Sequence, residues 1–254
     1  MEENRLSIAE IREILGGMPE AELEAGIARF RSVDRQGVQK LVEAAGRRAG
    51  KYRQELERID GMRLYEKKYA EFQRICGIDE VGRGPLAGPV AAAAVILPEG
   101  CVIPYVNDSK KLTEKKREEL YEIILEKAVS VGYAEVGPER IDEINILQAT
   151  YEAMRTAVAQ LSPQPDLLLV DAVRIPDLAI RQVPIIKGDA KSLSIACASI
   201  IAKVRRDRYM RKLAEQYPEY DFAGNKGYGS ASHMEALRKY GLTPVHRKSF
   251  IHLD

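Results

Sequence analysis

Gly77-Ile78-Asp79-Glu80-Val81-Gly82-Arg83-Gly84-Pro85 places two acids at the end of a short apolar run, Arg74-Ile75-Cys76-Gly77-Ile78, that has the length and composition of a strand entering a core. An ionised carboxylate taken out of water costs several kcal/mol unless a cation compensates it. Gly-Arg-Gly directly afterwards adds conformational freedom, exposed backbone N–H groups and a guanidinium. A hard divalent metal and a phosphate would satisfy both halves of the segment. Taken alone, the segment is equally compatible with a strand ending in an acidic turn.

Two further acids shift that balance. Pro165-Asp166-Leu167-Leu168-Leu169-Val170-Asp171 reads as a fully buried strand closed by a carboxylate. Open α/β sheets bind their ligands at such strand ends. Val183-Pro184-Ile185-Ile186-Lys187-Gly188-Asp189 repeats the pattern just before a helix, and taken alone Asp189 reads first as a plain helix N-cap.

The chain has 254 residues, 45% of them hydrophobic, enough for one large domain or a medium one with an extension. Nothing approaches the roughly 20 apolar residues of a membrane span. The start, Met1-Glu2-Glu3-Asn4-Arg5, is acidic where a secretory signal would be basic and then apolar, so a cytoplasmic location is expected. Cys76, Cys101 and Cys197 have neither disulfide nor zinc spacing. The formal net charge of +1 conceals an excess of thirteen Lys and Arg over seven Asp and Glu from Lys187 onward, a field suited to a polyanion. Twelve tyrosines are available for stacking on sugars or bases.

Residues 1–70 read as an all-helical extension. Ser7-Ile8-Ala9-Glu10 has the form of a capping box, Gly16-Gly17 should stop the first helix, Pro19 should open a second over 20–31, and a third should run over 38–70 with a break at Asp60-Gly61. Residues 71–254 alternate strands and helices. Strands are expected over 73–81, 89–97, 129–136, 167–171 and 180–187, and helices over 113–127, 144–161 and 192–216. No long helix separates the first two strands, so the first three should be antiparallel and the later ones parallel, in a mixed five-stranded α/β sheet.

On such a sheet Asp79, Glu80, Asp171 and Asp189 could meet at one edge. Clustered oxygen ligands suit Mg²⁺ or Mn²⁺, which accept substrate phosphates as further ligands. Two such ions would activate a water and stabilise the leaving oxygen of an in-line phosphoryl displacement. Adjacent strand residues face opposite sides, so Asp79 and Glu80 can share one site only where the strand ends or bulges.

These segments resemble the type 2 ribonucleases H, the ribonuclease HII family, from about Phe72 to Phe250. The resemblance rests on the run from Gly77 to Val90, on Asp108-Ser109-Lys110-Lys111-Leu112, Val170-Asp171 and Lys187-Gly188-Asp189, and on Ser199-Ile200-Ile201-Ala202-Lys203-Val204 with Arg206-Asp207. Gly227-Tyr228-Gly229 before His233 and the run from Thr243 to Phe250 complete the set.

What the resemblance implies is a ribonuclease H-like fold and an endonuclease that cuts the ribonucleotide strand of RNA/DNA hybrids. It also implies cutting 5′ of a lone ribonucleotide in duplex DNA, leaving 3′-hydroxyl and 5′-phosphate ends, as ribonucleotide excision repair requires. By the same resemblance Asp79, Glu80, Asp171 and Asp189 hold two Mg²⁺ or Mn²⁺ ions, Gly82, Arg83 and Gly84 read the 2′-hydroxyl, and Tyr228 packs on the next deoxyribose. Lys110 and Lys203 are candidates to hold phosphates as point charges. A monomer acting on nucleic acid, without membrane association, is the expected state. The competing class is a non-catalytic hybrid-binding protein, against which the four intact acids count.

His233, His246 and His252 lack metal-ligand spacing, and His233 is expected on a helix surface. Asp207 lies about five helical turns beyond Asp189, roughly 27 Å by helix rise, too far for the same site. Arg205 or Arg211 is its expected partner.

Overall fold

The computed structural model describes residues 3 and 5–252 and divides the chain into two compact units, Met1–Asp60 and Gly61–Asp254. In the first unit α1 (Ile8–Gly17) opens on the expected capping box, with Ser7 N donating to Glu10 Oε2 at 2.7 Å and Glu10 N to Ser7 Oγ at 3.2 Å. Gly16 and Gly17 stay within the helix, and the stop comes one residue later at extended Met18, whose conformation is the one favoured before a proline. A 3-10 turn over Glu20–Glu22 leads into α2 (Leu23–Phe30), and α3 (Gln36–Met62) follows. Ile11, Leu15, Leu23, Phe30 and Val38 form the small core of this unit. The expected long third helix breaks at Arg63, two residues later than Asp60-Gly61, and resumes as α4 (Leu64–Lys68).

The second unit is an α/β sandwich. Its five strands, β1 (Ile75–Val81), β2 (Val90–Ile96), β3 (Ser130–Val136), β4 (Leu167–Asp171) and β5 (Arg181–Ile185), form one sheet in the order β3-β2-β1-β4-β5. β1–β2 and β2–β3 are antiparallel and β1–β4 and β4–β5 parallel, as expected, although a helix intervenes between the antiparallel β2 and β3 and none between the parallel β4 and β5. The helices are α5 (Glu114–Lys127), α6 (Pro138–Ile144), α7 (Ile146–Ala159), α8 (Leu193–Gln216), α9 (Phe222–Asn225) and α10 (Ala231–Tyr240). α7 is the helix expected over 144–161, and α6 is a further short helix that precedes it. Asn145, at φ 68, breaks the chain direction and then caps α7 through its side chain, which accepts from Leu147 N and Gln148 N.

α7 covers one face of the sheet and α8 the other. β2, Val-Ala-Ala-Ala-Ala-Val-Ile, between β1 and β3, is buried throughout, and its alanines let both helices approach. α8 approaches β1 at Gly77, where a Cβ would fall 2.1 Å from the Ser194 carbonyl carbon, as α7 approaches β3 at Gly132, where a Cβ would fall 1.9 Å from the Ala157 carbonyl oxygen. No side chain but hydrogen fits at either glycine. α8 consequently lies along β1, bringing Ser199 to Asp79 and Arg206 to Gly82.

Glu66 of α4 belongs to this unit. Its Oε1 accepts from Ser192 Oγ at 2.6 Å, Ser194 N at 3.0 Å and Ser194 Oγ at 2.8 Å, so a carboxylate caps the N-terminus of α8. Tyr65, Tyr69 and Phe72 pack beside it on Leu167, Leu169 and Ile195.

Candidate active site

The parallel strands β1, β4 and β5 run in one direction, so their C-terminal ends lie along one edge of the sheet. Asp79 and Glu80 come from β1, Asp171 ends β4, and Asp189 lies in the 3-10 turn Gly188–Ala190 beyond β5. Gly188 N donates to Asp171 Oδ1 at 2.7 Å and ties the turn bearing Asp189 to the end of β4. β1 pairs with β4 only as far as Ile78, whereas its pairing with β2 continues without a bulge to Val81. The two adjacent acids therefore stand where β1 has lost one neighbour. Asp79 is on the α8 face, where Ser199 hydrogen-bonds its carboxylate, and alternation turns Glu80 to the other side.

The acids feel one another's charge. Burial raises the Asp79 carboxyl well above its usual range, with Glu80 and Asp171 pushing it further and the Ser199 bond opposing. Burial likewise raises Glu80; Arg83, 3.6 Å away, opposes the rise and Asp171 adds to it. Asp189 is raised by burial and by Asp108 and Asp171, while Lys110 draws it down. Lys110 acts on Glu80 in the same sense, so this exposed ammonium faces the acidic edge. Among the described residues no three His, Cys, Asp or Glu side chains stand close enough to grip an ion as placed. They share one field without forming a closed chelate. Hard oxygen donors held in mutual repulsion fit a divalent cation of the Mg²⁺ or Mn²⁺ kind in donor type and in sign.

The segments flanking the acids are tied to them. Ser199 Oγ lies 2.9 Å from Ser109 Oγ, joining Asp79 to the segment that carries Lys110. Arg117 Nη1 donates to the Ser109 carbonyl at 3.0 Å, and Asp207 sits 3.8 Å from the same guanidinium. Asp207 is buried and also accepts from Lys203 Nζ at 2.7 Å. Its partners are therefore Lys203 and Arg117, not Arg205 or Arg211: Arg211 is taken up by Glu114 and Glu118 of α5, and Arg205 Nε donates to Tyr121 Oη at 3.2 Å. Lys203 is thus held by Asp207, whereas Lys110 points its charge at the acids.

The loop Gly82–Pro89 follows the acids. Gly82 has φ +85, and a Cβ there would fall 2.2 Å from Arg206 Nε. Arg206 and Arg247 lie fully buried beneath this loop, without a carboxylate partner. Arg206 donates to the carbonyls of Pro89 (2.9 Å), Lys226 (3.0 Å) and Ala87 (3.2 Å). Arg247 donates to those of Gly88 (2.9 Å), Arg83 (2.9 Å) and Gly82 (2.6 Å). Bonds of this charged kind contribute about 1.5–3 kcal/mol each. Tyr228, 46% exposed, lies over the loop, its ring 3.7 Å from where a Gly84 Cβ would be.

His233 is buried, not on a helix surface. Its Nδ1 meets the Tyr228 carbonyl at 2.9 Å and its Nε2 meets His246 Nε2 at 3.1 Å, so α10 packs inward through this ring and fixes the backbone of Tyr228. Ser109, Ser199, Arg206, Arg247 and the two histidines are the contributors that sequence reasoning left without a role. One signal for Arg206 was available: it falls on the buried helical stripe Ser199, Ala202, Met210, Leu213. A cavity of about 360 Å³ lined by Glu66, Phe72, Ile75 and Leu97 contains none of the acids.

A sheet of this order with acids along one edge and helices on both faces defines a ribonuclease H-like α/β nuclease. Residues 76–253 match the family model for ribonuclease HII and residues 7–70 that for the ribonuclease HII N-terminal domain, and the chain belongs to the ribonuclease HII family. It is 59% identical over 218 residues to ribonuclease HII of Lachnoclostridium phytofermentans, covering 86% of each chain. Identity to ribonuclease HII of Clostridioides difficile is 47% over 247 residues, 96% of this chain and 97% of the other. Among solved structures, ribonuclease H2 of Pyrococcus horikoshii OT3 superposes with a TM-score of 0.57 at 29% identity over 69% of this chain and 93% of that one. The protein is an endoribonuclease acting on RNA/DNA hybrids, and none of its described helices is long and apolar enough to cross a membrane.

Proposed function

We propose that the protein cuts the ribonucleotide strand of RNA/DNA hybrids and also cuts 5′ of single ribonucleotides embedded in duplex DNA, leaving 3′-hydroxyl and 5′-phosphate ends. The observation that carries this is the meeting of two features at one edge: carboxylates raised by burial and by one another, and a rigid loop with Tyr228 over Gly84. Two Mg²⁺ or Mn²⁺ ions, held by Asp79, Glu80, Asp171 and Asp189, would supply an activated water and charge stabilisation at the leaving oxygen.

The chain's own residues do the rest. Lys110 attracts the phosphate beside the acids. The exposed backbone of Arg83 and Gly84 meets the ribose 2′-hydroxyl, the group by which a protein tells RNA from DNA. Tyr228 stacks on the neighbouring deoxyribose and keeps the strand in line. Arg83 pairs with Glu80 and limits that carboxylate's freedom. Ser109 and Ser199 hold Asp79 and the Lys110 segment in fixed relation.

The test is a DNA duplex with one ribonucleotide, incubated with Mg²⁺, with Mn²⁺ or with EDTA, and with both product ends mapped. A metal-dependent cut on the 5′ side with the stated ends is expected. Cleavage in EDTA, or products ending in a 2′,3′-cyclic phosphate, would overturn the mechanism.

A further inference from the structure

We propose that Arg247, braced by Arg206, is a specificity-determining positioning residue that turns the amides of Arg83 and Gly84 outward as paired donors for the ribose 2′-oxygen. This rests on the reading that the Gly82-Arg83-Gly84 segment meets the 2′-hydroxyl. A peptide unit is planar and trans, so its N–H points opposite to its C=O. The Gly82 carbonyl shares its peptide with the Arg83 N–H, and the Arg83 carbonyl with the Gly84 N–H. Both carbonyls are drawn inward onto the buried Arg247 guanidinium, at 2.6 Å and 2.9 Å. The two N–H groups consequently face away from it, toward the exposed surface on which Tyr228 lies.

Neither amide donates a hydrogen bond to any group among the described residues, whereas the later loop amides are satisfied: Leu86 and Ala87 donate to the Gly227 carbonyl and Gly88 to that of Val245. Two adjacent unpaired donors on otherwise well-satisfied backbone form a ready site for an acceptor oxygen.

The guanidinium has a reason to enforce this geometry. Arg247 is buried without a carboxylate within ion-pair distance, so loop carbonyls are its compensation. Flipping either peptide would take a ligand from a buried cation. Arg206 fixes the far end of the same loop through Ala87 and Pro89, and its side chain fills the space a Cβ at Gly82 would need. The donors are therefore held in place before substrate arrives, which is how fixed dipoles discriminate.

The experiment compares binding, in EDTA, of an all-DNA duplex and the same duplex with one ribonucleotide to the full chain and to Arg247→Lys and Arg247→Met, with circular dichroism as a check on folding. The wild type should prefer the ribonucleotide duplex by ~10-fold or more, as sites built to bond a hydroxyl do. In folded Arg247 variants the preference should shrink to within about 2-fold while all-DNA affinity stays unchanged, an outcome that general loss of structure would not give. Preference retained in both folded variants overturns the proposal alone. Absence of preference in the wild type overturns it together with the 2′-hydroxyl reading. Should the variants fail to fold, amide exchange in the wild type decides. Fast exchange at Arg83 and Gly84 that slows on adding the ribonucleotide duplex, and not the all-DNA duplex, supports the clamp; protection of these amides in the free protein overturns it.

Discussion

The Gly188 amide donates to Asp171 Oδ1 at 2.7 Å, so one carboxylate at the end of β4 also anchors the turn that presents Asp189. This double use separates charge from shape. Asp171→Asn keeps an acceptor oxygen for Gly188 and loses the negative charge. Cleavage with Mg²⁺ should fall by more than about 100-fold, a loss that even an outer-shell contact to a metal ligand can cause, while hybrid binding stays within a few fold. Asp171→Ala should in addition lower the urea midpoint, because it strands the Gly188 N–H. Asp189→Asn should be milder, and wild-type activity in that variant would mean Asp189 is only a turn residue.

Tyr228 joins the loop to the histidine pair. Its ring stands over Gly84 and its carbonyl is held by His233. Tyr228→Ala should cost on the order of 100-fold in rate at a single embedded ribonucleotide, the scale of a misplacement of about 1 Å. Tyr228→Phe should keep most of the rate, since the ring makes the sugar contact. Cleavage of the single-ribonucleotide duplex by the alanine variant at the wild-type rate would remove Tyr228 from the mechanism.

Much of this arrangement was legible in the chain. Short apolar runs marked all five strands to within about two residues, but connection length does not account for the pairing, since α5 lies between the antiparallel β2 and β3 and no helix lies between the parallel β4 and β5. The acids Asp79, Asp171 and Asp189 were visible as charges at strand ends. What stayed hidden was the fate of charged and polar side chains whose burial depends on distant partners. Arg247 bonds Gly88 across 159 residues, and nothing local separates it from a solvated arginine. His233 falls on the inner side of a short helix whose sequence, Ala-Ser-His-Met-Glu-Ala-Leu-Arg-Lys-Tyr, is mostly polar. It shares a helical stripe with the buried Ala236 and Leu237, a signal that periodicity carried, but its partner ring, His246, is not visible in any local pattern.

Glu66 gives a prediction about truncation. It caps α8 through three hydrogen bonds, and Tyr65 and Tyr69 pack on the sheet beside it. A fragment beginning at residue 61 retains these contacts; one beginning at 71 loses them. The shorter fragment should be less stable by about 2–4 kcal/mol, the scale of several bonds to a charged acceptor, and its urea midpoint should fall accordingly. Equal midpoints would show that Glu66 contributes nothing to α8. If the first unit supplies phosphate contacts, the 61–254 fragment should bind hybrid with a shallower salt dependence than the full chain.

The buried histidine pair predicts a pH dependence of stability. Burial and the neighbouring His233 push His246 down from 6.5 to about 4, and burial lowers His233 as well. The unfolded chain takes up these protons near pH 6.5 and the folded protein resists until about pH 4. The contribution is therefore fully present above about pH 6.5 and is lost as the pH falls through that window, since below it the unfolded state binds more protons. At about 1.4 kcal/mol per unit the loss approaches ~3 kcal/mol for His246. Unfolding in urea at pH 7.5 and at pH 5, with wild type and with the double variant His233→Gln, His246→Gln, isolates the pair from the carboxylates, which both proteins share. The wild type should lose more stability than the double variant on going to pH 5. Identical losses would mean that the pair does not resist protonation, and that the support under Tyr228 is insensitive to pH.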